Sequence, residues 1–246
     1  MKLPTPPPVA WSPQWEYTLS PVTADIWIVR HPLMVRGVEI TTCMTVVRLP
    51  EGRLWLHSPV PMDVTLRSQL AGLGRVSHVV APNRHHHRFV RQALAHWPQA
   101  TLHAAPGLGL DHPDLAAAPL LGAASSLHWG AELSAWPIEG QPGVAETVFF
   151  HHPSRTLIVT DLLTWFGPWD AWPVRAWARL QGCLGEPAVP QRLRRHYTQR
   201  AAAARSIAQV LALQPRRIVL GHGPVVQAQA TERLVRAFAW LPGLDP

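Results

Sequence analysis

The sequence predicts an α/β (α+β) domain in which two β-sheets pack together with helices on the outside. Short runs of β-branched and aromatic residues flank turn residues, which predicts hairpins. Apolar stripes with helical spacing separate these runs, in the order strands, helix, strands, helix, strand, helix. The apolar fraction of 47% over 246 residues supplies side chains for a sizeable core.

Strand patterns dominate the first half of the chain. The predicted elements are strands at 25–29, 44–49, 53–57 and 76–80 and a short helix at about 64–72. The second and third strands meet across Pro50, Glu51 and Gly52, so they form a predicted hairpin.

A helical stripe follows the strand at 76–80. Its apolar members are Phe89, Val90, Ala93, Leu94 and Trp97. Asn83 stands just ahead of the stripe, where it is a suitable N-cap. His85, His86 and His87 therefore lie in a predicted strand-to-helix turn.

The second half repeats this alternation. The predicted elements are strands at 147–150, 156–160 and 217–220, a long helix at about 190–213 and a last helix at about 230–240. Asp161 ends the second of these strands. His222 follows the third strand, between Gly221 and Gly223.

Residues 1–22 are rich in proline and predict an extended surface arm, and residues 23–246 predict a single domain. The proline- and glycine-rich stretch at 105–119 is a predicted loop. Cys43 and Cys183 are too few for a disulfide framework, and the N-terminus has no signal-peptide pattern. We therefore expect a cytoplasmic protein.

The net charge of +7 raises the question of a nucleic-acid partner. The arginines are spread along the chain, with one modest cluster at Arg192, Arg194, Arg195 and Arg200. Because Lys2 is the only lysine, a bias in composition explains the charge equally well. No apolar run approaches the ~20 residues that cross a bilayer. The expected partner is a small-molecule substrate, without nucleic acid or membrane.

Metal-competent side chains follow three predicted strands. They are His85, His86 and His87, then Asp161, then His222. Imidazole and carboxylate ligands suit Zn(II), and also iron or manganese. The alternative is that the histidine triple lies on the surface and Asp161 caps the next segment. Since strand ends meet at one edge of a sheet, the three positions together predict a metal site.

Four stretches resemble an uncharacterised bacterial and plant family within the metallo-β-lactamase superfamily. They are Met-Thr-Val-Val-Arg-Leu at 44–49, Leu-His-Ser-Pro-Val at 56–60, Val-Ala-Pro-Asn at 80–83 and Ser-Arg-Thr-Leu-Ile-Val-Thr-Asp-Leu at 154–162. The resemblance covers about residues 24–225 and implies a four-layer αββα sandwich of the metallo-β-lactamase type. It also implies one or two metal ions at the shared edge of the sheets.

The first metal motif of the superfamily, His-x-His-x-Asp-His, is degenerate here. When it is laid on this chain, Asn83, His85, His87 and Arg88 take its four positions, and only His85 matches in type. In the other register, the paired histidines of the family are His86 and His87. The resemblance does not decide between these two registers.

The remaining ligand positions match unequally. Asp161 matches the bridging aspartate of the superfamily, and His222 matches the last histidine. The middle histidine belongs near residues 138–143, where this chain has none. Glu139 or Glu146 is an oxygen ligand that could replace it.

The leading hypothesis is a metal-dependent hydrolase-like protein. Asp161 and His222 would be ligands together with two of the three neighbouring histidines, Asp161 would be the catalytic carboxylate, and Arg88 would hold an anionic substrate group. The metal would be zinc, or alternatively iron or manganese. The alternative is a catalytically inactive relic of the fold, used for binding or assembly, with or without a bound metal. Redox chemistry at a di-iron site is the third reading.

The chain lacks a Gly-x-Ser-x-Gly elbow and a phosphate-cradling glycine loop. It also shows no Cys-His nucleophile pairing. Covalent serine or cysteine catalysis and nucleotide hydrolysis are therefore disfavoured.

Overall fold

The computed structural model describes residues 18–35 and 37–244. Most of the predicted N-terminal arm lies outside these ranges. Ser20–Pro21, near the end of that arm, pairs with the next strand as a short edge strand.

The chain forms ten strands in its described part. They are β1 (Ser20–Pro21), β2 (Ile26–Val35), β3 (Val38–Leu49), β4 (Arg53–His57), β5 (Arg75–Ala81), β6 (Thr101–Ala104), β7 (Leu133–Pro137), β8 (Thr147–His151), β9 (Thr156–Ile158) and β10 (Arg217–Val219).

Seven α-helices join them. They are α1 (Val64–Leu73), α2 (Val90–His96), α3 (Leu108–Asp111), α4 (Trp172–Gln181), α5 (Gln191–Arg194), α6 (Arg200–Ala212) and α7 (Ala230–Phe238). Short 3-10 turns lie at Pro50–Gly52, Pro113–Leu115 and Ala123–His128. No helix in the described part of the chain has the length and apolarity that a bilayer crossing requires.

The strands form two sheets. The first has the order β1-β2-β3-β4-β5-β6, and the second has the order β10-β9-β8-β7. The pairs β4–β5, β5–β6 and β9–β10 are parallel, and the other pairs are antiparallel. Because β5, β9 and β10 each end in a loop that carries a candidate ligand, the topology can bring these loops together.

Three layers of apolar side chains hold the four-layer sandwich together. Trp55 of the first sheet meets Phe149 of the second in the layer between the sheets, with 4.7 Å between the ring centroids. The outer face of the first sheet packs on α1 and α2, and the outer face of the second packs on α6 and α7. Each fully buried side chain of this size contributes about 1.5–3 kcal/mol, so the sheets form a stable frame for the loops.

The structure confirms the αββα class and differs from the sequence prediction at several elements. The helix predicted at about 190–213 is two helices, because the backbone N–H of Gln199 donates to the carbonyl of Gly140 instead of continuing the helix. The helix predicted after Asn83 begins only at Val90. The strand at 25–29 extends to Val35. β6, β7 and α4 lie where no element is predicted.

Candidate metal centre

Three loops bring two imidazoles and a carboxylate together at the edge of the sandwich. His86 lies in the loop between β5 and α2, Asp161 follows β9, and His222 follows β10. Each offers a ligand atom within 4.8 Å of the other two. The side chains of all three are 8% exposed, so the group is almost closed to bulk water.

The distances from the histidines to Asp161 fit a shared ion better than direct hydrogen bonds. His86 Nε2 is 3.5 Å from Asp161 Oδ2, and His222 Nε2 is 3.6 Å from Asp161 Oδ1. Hydrogen bonds between N–H and O are usually about 2.7–3.2 Å long. Two ligand atoms at about 2.0–2.1 Å from a tetrahedral zinc ion lie about 3.3 Å apart. The donor set therefore fits a metal ion.

Both histidines are oriented through their other ring nitrogen. His222 Nδ1 donates to the carbonyl of Thr41 in β3 at 2.8 Å. His86 Nδ1 is 2.7 Å from the hydroxyl of Ser58, which directly follows β4. When Nδ1 carries the proton, Nε2 presents its lone pair to the ion, which is the arrangement that metal-binding histidines usually have.

Asn83 holds the histidine turn and Asp161 in one network. Its Oδ1 accepts hydrogen bonds from the backbone N–H groups of His85 and His86 at 2.8 and 2.9 Å. Its amide nitrogen donates to Asp161 Oδ2 at 2.9 Å and to the Thr160 hydroxyl at 2.9 Å. Asn83 was predicted as the N-cap of the following helix, but the N-cap residue of α2 is Phe89. Asn83 caps the histidine turn instead.

Glu146 fixes the backbone of the loop that carries Asp161. Its carboxylate accepts from the backbone N–H of Thr160 at 2.7 Å and from that of Asp161 at 3.0 Å. Burial raises the pKa of Glu146, and the neighbouring charge of Asp161 raises it further. Glu146 was one of the two residues predicted to replace the missing histidine ligand. Both of its carboxylate oxygens instead accept hydrogen bonds from backbone N–H groups.

The electrostatics keep Asp161 ionised and His222 neutral. Burial acts to raise the pKa of Asp161, but His86, His85 and His222 together hold it well below its ordinary value. Burial lowers the pKa of His222 to about 4, and His86 acts in the same direction. At neutral pH both side chains are in their ligand forms.

The predicted site residues divide into two sets. His86, Asp161 and His222 meet, and His85 Nδ1 lies 3.4 Å from Asp161 Oδ2 with a side chain that is 51% exposed. His87 points elsewhere.

Three other residues that the sequence predicted for the site, His87, Arg88 and Glu139, lie outside this group of ligands. The Nε2 atom of His87 is 3.1 Å from that of His112. Arg88 and Glu139 are exposed. The resemblance marked Ser58 only as part of a shared stretch, and no pattern pointed to Thr41, since a backbone carbonyl leaves no signal in the sequence.

Comparison with known families decides the identity of the chain. The profile of DUF4336, described as a domain of unknown function, matches residues 23–167. The chain belongs to this family. None of the curated proteins matches the sequence.

Solved structures share the fold of this DUF4336 protein. A metallo-β-lactamase from Erythrobacter litoralis, with β-mercaptoethanol in its active site, has a TM-score of 0.62 at 15% identity and covers 91% of this chain and 96% of its own. The metallo-β-lactamase FIM-1 from Pseudomonas aeruginosa in its mono-zinc form has a TM-score of 0.59 at 13% identity, with coverages of 91% and 95%. The chemotaxis sensor ODP, solved as a peroxy diiron species, has a TM-score of 0.55 at 16% identity, with coverages of 93% and 95%. The chain has the metallo-β-lactamase fold.

Proposed function

We propose that this protein is a metal-dependent hydrolase in which His86, Asp161 and His222 hold a single metal ion. The observation that carries the proposal is the convergence of two buried imidazoles on one carboxylate, each imidazole anchored through its Nδ1 atom. Histidines that cluster by chance are not expected to direct two oriented Nε2 atoms at the same carboxylate.

A metal ion held by such ligands lowers the pKa of a water molecule toward neutrality and polarises the group to be cleaved. The low pKa of Asp161 keeps this carboxylate charged as a ligand. His85 lies on the exposed side of Asp161, where its ring can contact a substrate or orient a water molecule. Arg88 is exposed nearby in sequence, and we propose that it binds an anionic group of a small-molecule substrate.

The ligand set restricts the identity of the ion. Two imidazoles and one carboxylate leave open coordination positions, which suits hydrolytic Zn(II). The same set also suits mononuclear Fe(II). We propose Zn(II), with Fe(II) or Mn(II) as the alternatives, and the zinc and di-iron centres named for the structural neighbours support this range.

Hydrolysis of chromogenic probes tests the proposal. An activated aryl ester and an activated aryl phosphodiester are offered to chelator-treated protein before and after addition of Zn(II), Fe(II) or Mn(II). The proposal predicts metal-dependent cleavage of at least one probe. Asp161→Asn should reduce the rate to that of the chelator-treated protein, because the substitution removes the charge of the ligand. Equal rates in Asp161→Asn and wild-type protein would contradict it.

The alternative is a non-catalytic relic of the fold, favoured by the lack of a histidine at 138–143 and by the engagement of Glu146 with the backbone. Melting curves separate the two cases. A metal that raises the melting temperature without any probe hydrolysis supports a binding role, whereas no shift with any metal excludes a specific site.

A further inference from the structure

The segment 188–199, which contains α5, runs along the edge of the sandwich beside the candidate metal centre. At its start, Ala188 and Thr164 exchange two backbone hydrogen bonds of 3.0 Å, and Thr164 also forms a β-bridge with His222. At its other end, the last residue of the segment donates its backbone N–H to the carbonyl of Gly140, in the loop between β7 and β8. The segment therefore connects two loops at the ligand-bearing edge of the second sheet.

Apolar side chains fix this segment to the core and leave an exposed arginine beside them. Leu193 and Tyr197 are buried among the side chains that pack the second sheet against its helices. The neighbouring Arg192 is exposed, but two contacts with α4 hold it in place. Its backbone N–H donates to the side-chain oxygen of Gln181 at 2.9 Å, and its guanidinium carbon lies 5.3 Å from the ring centroid of Trp177. A guanidinium over an aromatic ring keeps its N–H groups directed outward in its own plane, where they can bind a ligand.

The charge of Arg192 is uncompensated and reaches the metal centre. Among the residues that the structure describes, no carboxylate pairs with this guanidinium. Burial lowers the pKa of His222, and the positive charge of Arg192 acts in the same direction. The contact with Asp161 raises the pKa of His85, and Arg192 opposes that rise. An unpaired positive charge within electrostatic reach of both histidines should attract an anionic substrate to this edge.

A guanidinium selects a particular kind of ligand. Its planar fork of N–H donors matches the oxygens of a carboxylate or a phosphate, and it binds neutral groups less strongly. Arg192 lies on the segment that borders the His222 loop, whereas Arg88, proposed above, lies in the histidine turn with His86. The two arginines therefore offer distinguishable positions for the anionic group of a substrate.

We propose that Arg192 determines the specificity of this protein for small anionic substrates, by binding a carboxylate or phosphate group while the bond to be cleaved lies at His86, Asp161 and His222. This inference rests on the proposed hydrolytic function and names its substrate class. Arg192 binds the substrate and takes no part in the cleavage itself, so its loss should change KM rather than kcat.

Two nitrophenyl esters of equal chain length test the specificity. The mono-nitrophenyl ester of adipic acid carries a carboxylate, whereas nitrophenyl hexanoate is neutral; in both, water attacks the acyl carbon and nitrophenolate leaves. Zn(II)-treated wild-type protein should have the lower KM for the anionic ester. Arg192→Gln should raise that KM at least about tenfold and remove the preference for the anionic ester. Arg195→Gln, which removes an exposed arginine of the same segment, is the matched control and should keep the preference.

Melting curves give a second readout that does not need catalysis. Benzoate or phenyl phosphate should raise the melting temperature of Zn(II)-treated wild-type protein by mass action, and the larger rise identifies carboxylate or phosphate as the preferred group. Arg192→Gln should lose most of this rise, and Arg195→Gln should keep it. Arg192→Lys should retain part of it, because lysine keeps the charge but lacks the planar fork.

Equal KM values for the anionic ester in Arg192→Gln and Arg195→Gln would overturn the inference. A rise in KM confined to Arg88→Gln would also overturn it and would leave the proposed hydrolase intact. Failure of the proposed function is distinguishable, since neither ester is then cleaved while the melting curves still report anion binding. In that case a rise that depends on Arg192 supports the anion site, and no rise in wild-type protein overturns it.

Discussion

At the scale of single residues, the orientation of two imidazole rings determines whether the site can bind a metal. The carbonyl of Thr41 and the hydroxyl of Ser58 each engage one Nδ1 atom. Neither is a ligand, yet each fixes the direction of the facing Nε2 atom. Partners of this kind typically change metal affinity by about 10–100-fold when they are removed.

Ser58→Ala should therefore lower the Zn(II) affinity of the metal centre by about 10-fold or more, because the ring of His86 loses its anchor. Competition with a zinc-binding dye measures the affinity. Ser77→Ala is the matched control, since its exposed hydroxyl contacts only the carbonyl of Arg75. Equal affinities in the two variants would show that Ser58 does not orient His86.

Glu146→Gln should destabilise the fold and weaken metal binding together. The amide that replaces one carboxylate oxygen would place a donor against the backbone N–H of Thr160 or Asp161. A buried donor without an acceptor costs about 1–3 kcal/mol. Urea denaturation measures the loss, with Glu139→Gln on the exposed part of the same loop as the control. A loss as small as that of the control would refute this role.

The sequence predicted part of the site for clear physical reasons. Asp161 and His222 stand out because each directly follows an apolar strand. The choice of His86 from three adjacent histidines depends on the turn that Asn83 holds, and sequence spacing does not contain that information. The role of Glu146 depends on contacts with backbone 14 and 15 residues away, which no local pattern reveals.

At the scale of elements, the turn after β10 places His222 through its two glycines. A Cβ on Gly221 would lie 2.9 Å from the Cα of Thr160, in the loop that carries Asp161. Gly223 has φ +125°, and a Cβ there would collide with the carbonyl oxygen of Trp165. The close approach of the two loops therefore requires glycine at both positions.

Gly223→Ala should destabilise the protein and reduce metal binding, because the turn must move to accept a Cβ. Gly72→Ala is the control, since Gly72 lies in α1 with open space around it. The control should be neutral or stabilising by about 0.5–1 kcal/mol. Thermal melting and zinc titration measure both effects. If Gly223→Ala behaved like the control, the close packing of the turn would be wrong.

His78 in β5 and His103 in β6 are two buried histidines whose rings face each other, and they should make the metal-free protein sensitive to acid. The folded protein keeps His78 and His103 neutral down to about pH 4 and pH 3, whereas their ordinary pKa is 6.5. The unfolded chain binds more protons below pH 6.5, so stability is lost as the pH falls from there toward the folded pKa values. Urea denaturation with chelator at about pH 7 and about pH 4.5 measures the loss. His78→Gln should reduce the difference, and an unchanged difference would contradict the assignment.

Elements with a strong local pattern were predicted closely. The β3–β4 hairpin, α1 and the β8–β9 hairpin have turn residues or caps that define their ends, such as Asp63, whose side chain accepts from the N–H of Leu66. The break between α5 and α6 was not predicted, because apolar spacing continues across it while a distant carbonyl, that of Gly140, captures the backbone.

At the scale of the whole molecule, the two sheets form a frame that brings distant loops to one edge. His86, Asp161 and His222 are separated by 75 and 61 positions along the chain, yet their ligand atoms lie within 4.8 Å. The order of the strands predicted this class of fold, and the packing of Trp55 against Phe149 gives the sandwich its common core. The central claim is that this edge binds one ion.

Elemental analysis of protein purified without added metal tests that claim most directly. Wild-type protein should contain about one equivalent of zinc, iron or manganese per chain, because two imidazoles and a carboxylate are all good ligands for these ions. Asp161→Ala and His222→Ala should each lose most of this metal, whereas His87→Ala should keep it. A wild-type metal content far below one equivalent, or a content unchanged in Asp161→Ala and His222→Ala, would contradict the account.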